Sequence, residues 1–272
     1  MNHLRLGLSP LTERAVTLIE SEAKRTLATY LAARKLVEFD GPHGWEFSAV
    51  PLGRVQDIAL DGGGQGVTAK QRLAQPLIEV RAAFDLSIKE LDDIERGADP
   101  ELDAVVDAAR RLALAEDRAV FYGAKAANIQ GILAASSQKP ITLSNDFQSF
   151  PGFVSEAMEQ LRLSGVSGPY AIALDADSYT ALSKTTGAGG YPVLQHVRRF
   201  LDGPIVWAPA LSGAVVLSMR GGDFELVVGQ DVSVGYIDHD RTAVSLYLEE
   251  SFTFRLLSAE AAVPLLFSAP AK

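Results

Sequence analysis

The stretch from Val55 to Leu86, VQDIALDGGGQGVTAKQRLAQPLIEVRAAFDL, constrains the fold more than any other part of the chain. Its second half alternates. Ile78, Val80, Ala82, Phe84 and Leu86 are apolar, and Glu79, Arg81, Ala83 and Asp85 fall between them. Period two is the signature of a strand with two chemically different faces. The first half ends in a glycine-rich tip, Asp61 to Gly66. Together the halves read as a long two-stranded arm. An isolated hairpin is at best marginally stable in water, so the arm needs a partner surface, in the same chain or on another copy. The tip glycines 62, 63, 64 and 66 match neither G-x-G-x-x-G nor G-x-x-x-x-G-K-[ST]. A strand rather than a helix N-terminus follows them, so they read as a flexible hairpin tip and not a phosphate loop.

Helical spacing brackets the arm. Leu11, Ala15, Leu18, Ile19, Ala23, Leu27, Tyr30 and Leu31 recur on one face behind a Ser9-Pro10 start, with Glu13, Arg14, Glu20, Lys24 and Arg25 opposite, which predicts a helix over about 10–34. After a short acidic helix around KELDDIERG (89–97), an Asp99-Pro100 start and the stripe Leu102, Val105, Val106, Ala109, Leu112, Ala113, Val120 and Phe121 predict a second long helix over about 101–124. From about 131 to 225 the elements shorten, with helices expected at 151–164, 177–185 and 192–202 and strands at YAIALDA, PIVWAPA and AVVLSMRG. The C-terminal part is rich in Val, Phe and Tyr and reads as strands. Long helix, long hairpin and then mixed elements give an α+β fold.

Chemistry is scarce. Cysteine is absent, which removes disulfides, thiolate metal sites and a cysteine nucleophile. The four histidines, His3, His43, His196 and His239, have no metal-ligand spacing. DHD at 238–240 reads as a solvated turn, and SGVSGP at 164–169 fails as a nucleophile elbow because Pro169 stands where the last glycine is required. A net charge of −9 argues against a nucleic-acid partner. No apolar run is long enough to span a membrane, and MNHLRLGLSPLTERA lacks the features of a secretory signal, so the cytoplasm is the expected location. What remains are features that make sense between copies, and heterologous interfaces close into rings or shells where the rotation permits.

The connector RKLVEFDGPHGWEFSAVPLG (34–53) carries more apolar surface than a turn needs. With it, LSPLTERA (8–15), PLIEVRAAFDLSIKELDDIERG (76–97), EDRAVFYG (116–123), GPYAIAL (168–174), RGGDFELVVGQDVSVGYIDHD (220–240) and LYLEESFTF (246–254) occur in one order along the chain. That series resembles the family 1 encapsulins, bacterial nanocompartment shell proteins also described as linocin-like bacteriocins. The resemblance implies the Hong Kong 97-type fold of tailed-phage major capsid proteins. Residues 1–50, 80–130 and 226–272 would form a peripheral domain with the second long helix as spine. Residues 51–79 would be the extended loop reaching a neighbour, and 131–225 an axial domain. It further implies closed icosahedral shells, the smallest of about 60 copies, loaded with a cargo enzyme through a short tail peptide bound on the inner wall. The cargo would be a dye-decolorising peroxidase or otherwise a ferritin-like protein. The shell itself would be no enzyme.

Carried over by motif, the cargo-peptide cleft would be lined by Leu27, Tyr30, Leu31, Arg34 and Glu38 on the helix and connector side and by Asp231, Val232 and Val234 on the strand side. The connector would hold the first helix beside that strand, with Phe39, Trp45 and Phe47 either shaping the trough or filling the core. The fivefold pore loop matches KTTGAGGYP (184–192), with Thr186, Gly187, Ala188, Gly189 and Gly190 lining a wide or mobile aperture. Lys89 stands where some members place an aromatic residue able to stack on a flavin, so no flavin or other cofactor is expected. Two other readings share parts of the pattern. One is a phage or prophage capsid protein packaging DNA, and the other is a bacteriocin or protease.

Overall fold

The computed structural model describes residues 3–61, 66–187 and 190–268. The first helix, α1 (Glu13–Tyr30), starts later and ends earlier than its apolar periodicity predicts. Its N-cap is Thr12 and not Ser9. The Thr12 hydroxyl accepts the Ala15 amide, while Ser9 Oγ donates to the Leu6 carbonyl in the preceding turn and so closes a different loop. At the other end the backbone leaves the helix at Leu31 and makes a single 3-10 turn, Ala33–Lys35.

Strand β1 (Glu38–Asp40) follows, and then β2 (Ala49–Ile58) and β3 (Ala69–Pro76) pair with each other to form the arm. The glycines 62, 63 and 64 of the expected tip lie outside the described residues. The alternating segment is not the returning strand of the arm. It forms β4 (Ile78–Ser87), which pairs antiparallel with a C-terminal strand, β13, defined below. Its apolar face explains the difference. Ala82, Phe84 and Leu86 are buried in the core, whereas the arm leaves Val55, Ile58, Leu60 and Val67 exposed.

Ser87 and Glu90 form a reciprocal capping box that starts α2 (Ile88–Arg96), and Gly97 closes it in a left-handed conformation. The spine helix α3 (Asp103–Tyr122) has its N-cap at Leu102, so Asp99-Pro100 belongs to the approach and not to the cap. Short elements follow: β5 (Gly123–Ala124), β6 (Ile129–Gln130), α4 (Ile132–Ala135) and β7 (Ile141–Leu143). Next come α5 (Phe150–Leu163), β8 (Tyr170–Leu174), α6 (Ala176–Lys184), α7 (Val193–Phe200), β9 (Ile205–Trp207) and β10 (Ala214–Ser218), close to the expected bounds. The chain ends in β11 (Phe224–Val228), β12 (Ser233–His239), β13 (Ala243–Leu256) and β14 (Ala262–Phe267).

Two sheets result. In the first, the long β13 has β4 along one side and β12 and β11 in succession along the other, with β1 extending the sheet parallel to β11. In the second the order is β7-β14-β10-β8-β9. Strand β14, expected among the peripheral segments, therefore lies in the sheet of the middle third. It bonds to β7 and β10 because the chain crosses over after the turn at Ala259–Ala261. The faces of β13 explain the layering. Val244, Leu246, Leu248, Phe252 and Phe254, two residues apart, are buried against the helices, and Glu250 falls on the same face.

Candidate functional site

A groove of about 430 Å³ runs between the second half of α1 and strand β12, with Leu248 of β13 also lining it. The helix side is a product of spacing: Glu20, Ala23, Lys24, Leu27, Ala28 and Leu31 are three or four residues apart and share one face. The other wall is the segment Asp231 to Val234. Leu27, Leu31, Val234 and Leu248 are buried and make the trough apolar. Lys24 and Ala28 are exposed at its mouth.

Arg34 closes one end. Its Nη1 donates to Asp231 Oδ1 at 2.8 Å, its Nη2 to Glu250 Oε2 at 2.8 Å, and its Nε to Glu116 at 2.9 and 3.0 Å. Glu116 and Glu250 are fully buried, while Arg34 keeps 16% of its side chain exposed and Asp231 45%. Burial works against the guanidinium's charge. The Glu116 hydrogen bond and the charges of Glu116, Glu250 and Asp231 outweigh it, so the Arg34 pKa is raised. Burial, and then the neighbouring charge of Glu116, push the Glu250 carboxyl well above the ordinary carboxylate range despite Arg34. Glu250 Oε1 has no hydrogen-bond partner among the described residues. One cation thus faces three carboxylates, and Glu250 is the one driven towards its protonated form.

The turn that presents Arg34 is itself held from α3. Asp117 accepts the Ala32 and Ala33 amides at 3.0 and 2.9 Å, and burial raises its carboxyl to about 7 even though both bonds pull it down. The Arg34 guanidinium also lies over the Phe39 ring, 5.1 Å from its centre.

Of the residues expected at the cleft, Leu27, Leu31, Arg34, Asp231, Val232 and Val234 come together. Two do not. Glu38 points away in β1, where its carboxylate accepts the Gly222 amide at 2.9 Å, because β1 runs beside β11 and not beside α1. Tyr30 tilts onto Trp207 of β9, with ring centres 5.4 Å apart, and does not line the groove. The connector follows the edge of β11: His43 and Gly44 donate their amides to the Val228 and Gly229 carbonyls. Its aromatics do not fill the core, since Phe39 is 39% exposed and Trp45 52%. Trp45 stacks on His3, and Phe47, partly buried, tilts against His43. Only Phe39 reaches the groove residues, through Arg34.

Glu20, Ala23, Lys24, Ala28, Ser233 and Leu248 line the groove without having been expected there, and the buried Glu116 and Glu250, which pair with Arg34 from behind, do not line it but were not expected either. The helical positions were available from the three-four spacing. Glu250 was available as a charge at a core-facing place in an alternating strand.

In the segment 184–192, Thr186 bridges Pro192, the Gly187 amide bonds the Tyr191 carbonyl at 3.0 Å, and the Gly190 amide bonds the Gly187 carbonyl at 3.0 Å. Gly190 has φ +74, a conformation that glycine adopts without strain. Ala188 and Gly189 lie outside the described residues. Tyr191 is 63% exposed at the base of this tight loop.

The groove is an apolar trough with charged residues at its rim. Among the described residues no cluster of three His, Cys, Asp or Glu side chains is placed to hold a metal ion, and no helix is long and apolar enough to cross a membrane. An apolar trough with a charged end, open along its length, suits a short extended peptide.

Over residues 1–253 the chain matches the family described as "Encapsulating protein for peroxidase". It is 51% identical over 270 residues to a type 1 encapsulin shell protein of Rhodospirillum rubrum, covering 97% of this chain and 96% of that one. The type 1 encapsulin shell protein of Mycobacterium tuberculosis is 46% identical, covering 97% and 99%. Among solved structures, the virus-like particle from Pyrococcus furiosus superposes with a TM-score of 0.64 at 18% identity, over 90% of this chain and 96% of that one. A protein of Mycobacterium phage Ogopogo gives 0.59 at 14% identity, over 88% and 92%. The fold is that of the tailed-phage capsid proteins.

Proposed function

Because the chain belongs to the type 1 encapsulin shell proteins, which build a self-assembling compartment, we propose that the α1–β12 groove holds the C-terminal targeting tail of a cargo enzyme against the inner wall of the shell. The cargo in this reading is a dye-decolorising peroxidase, with a ferritin-like protein as the other choice. The family's description as an encapsulating protein for peroxidase favours the first. The observation that carries the reading is the groove itself, with an apolar trough, a charged end and room of about 430 Å³ for a few extended residues. One tail in so small a site binds weakly. An oligomeric cargo engages several sites of one shell and gains avidity.

The shell in this proposal is the smallest icosahedral one, of about 60 copies, in the bacterial cytoplasm. It is the container and not the catalyst, and the 184–192 loop admits small molecules. Two measurements test this. Light scattering and negative-stain microscopy on the protein expressed alone should give uniform closed particles of megadalton mass, and a monomer or dimer at every concentration would overturn the assembly. Co-expression of a tailed peroxidase with Ala28→Trp plus Val232→Asp, which fill and charge the groove at partly accessible positions, should give closed but empty particles. Full loading of that variant would remove the groove from the mechanism.

A further inference from the structure

The wall of the groove opposite α1 is the edge of a sheet, and part of that edge is open. β12 pairs with β13 on one side only, and among the described residues no strand lies on its other side. The hydrogen-bonding sense of each residue follows from one contact. The Tyr236 amide donates outward, away from β13, to the Leu4 carbonyl at 2.8 Å. In an antiparallel ladder, outward and inward groups alternate, so Val234 also presents its N–H and C=O outward while Ser233 and Gly235 bond to β13. Two residues further back the Val232 amide is taken by the Asp231 carboxylate at 2.9 Å. Between these two closures, the outward N–H and C=O of Val234 meet no partner among the described residues. They lie along the wall of the groove.

We infer, on the basis of the cargo reading above, that the tail is recognised through its backbone as a short added strand on β12, pairing with the N–H and C=O of Val234. The length of the gap selects the occupant. The Asp231 side chain ends it at Val232 and the N-terminal segment ends it at Tyr236, so about three residues of added strand fit, fewer than the five or six of an ordinary strand. The exposed arm strands β2 and β3 of a second copy, 10 and 8 residues long, are too long for that opening; a short tail is not. The same edge already donates one backbone hydrogen bond outward at Tyr236, to the turn that carries Leu4. Alternate side chains of the tail then enter the trough over Leu27, Leu31 and Leu248, and those between them face away. Backbone pairing supplies affinity and the alternate pockets supply selectivity.

The test exploits the geometry of the edge. Because the Val234 N–H points away from β13, proline can replace Val234 without removing a ladder bond. Shells of Val234→Pro, Val234→Ala and Ala28→Trp are co-expressed with a fluorescent protein ending in a peroxidase tail. Val234→Pro should load at least about tenfold less than Val234→Ala, both forming closed particles. Equal loading of the two, with Ala28→Trp empty, would overturn backbone pairing and leave the groove reading standing. Full loading of Ala28→Trp would overturn both. Should Val234→Pro fail to assemble, wild-type shells reassembled with synthetic tail peptides decide the matter. N-methylation at one set of alternate residues should abolish binding and at the other set leave it within about twofold, whereas equal effects at all positions would overturn the inference.

Discussion

Replacing Arg34 by alanine is a test of stability before it is a test of binding. Arg34 is the cation that faces Glu116 and Glu250, both fully buried, and its loss leaves two carboxylates without a counter-charge in a core of leucine, valine and phenylalanine. Removing one partner from a buried pair costs about 3–5 kcal/mol, most of it the uncompensated charge left behind. For a chain of this size 1 kcal/mol moves the melting temperature by about 2–4 °C, so a fall of roughly 6–20 °C is expected. The effect must depend on pH. The folded-state pKa of Glu250 is already raised by burial and by Glu116. A carboxyl raised in this way favours the folded state fully below its unfolded value, and that contribution is lost as pH rises through the folded value. Without Arg34 the penalty for ionising Glu250 grows, so Arg34→Ala should be most damaging near pH 8 and partly relieved near pH 5.5. The assay is thermal denaturation of purified particles at both pH values, with Arg34→Ala, Glu250→Gln and the double variant. Glu250→Gln should restore much of what Arg34→Ala loses at pH 8. An Arg34→Ala melting curve that coincides with wild type at both pH values would refute the account of the cluster, as would an effect that grows on acidification.

Asp117, Gly235 and the 184–192 loop offer independent tests. Asp117, raised to about 7 by burial, contributes stability that is complete below about pH 4 and lost as pH rises through about 7; Asp117→Asn should therefore flatten the stability profile between those limits, while losing one of the two amide bonds at Ala32 and Ala33. Gly235 lies under the Tyr247 ring, where a Cβ would stand 2.1 Å from its nearest atom, so Gly235→Ala should displace Tyr247 and cost about 1–3 kcal/mol by overpacking, seen as a lower denaturation midpoint. In the loop 184–192, Gly190→Val forces a branched residue into φ +74 and should change the rate of small-molecule entry into filled particles; an unchanged rate would separate that loop from permeation.

What was legible in the sequence follows the reach of its interactions. The three longer helices of the middle third, α5, α6 and α7, lie within about two residues of the expected bounds because their apolar repeats and turn residues are local, while the single-turn α4 is too short to show a repeat. Residues 78–86 were recognised as a strand, but an alternating face says only that one side is buried, not by what. Hairpin partner and β13 satisfy it equally, and β13 lies more than 150 residues further on. The two cap-and-proline starts failed for a related reason. Ser9 and Asp99 are able to cap a helix, but Ser9 is engaged by the Leu6 carbonyl and the α3 stripe begins beyond Asp99. At the groove, the helix side could be read from spacing, and the misplaced pair, Glu38 and Tyr30, lies just where the chain leaves α1 and local periodicity stops applying. The acids behind Arg34 were readable in principle. Glu116 and Asp117 interrupt the apolar stripe of α3, and Glu250 takes a core-facing place in β13. Charges at such positions are rarely left alone, so two of them in separate elements imply a buried cation between them. Only the fold decides that the cation is Arg34, carried on a turn that Asp117 holds in place, and that the exposed side of this cluster forms the end of the groove.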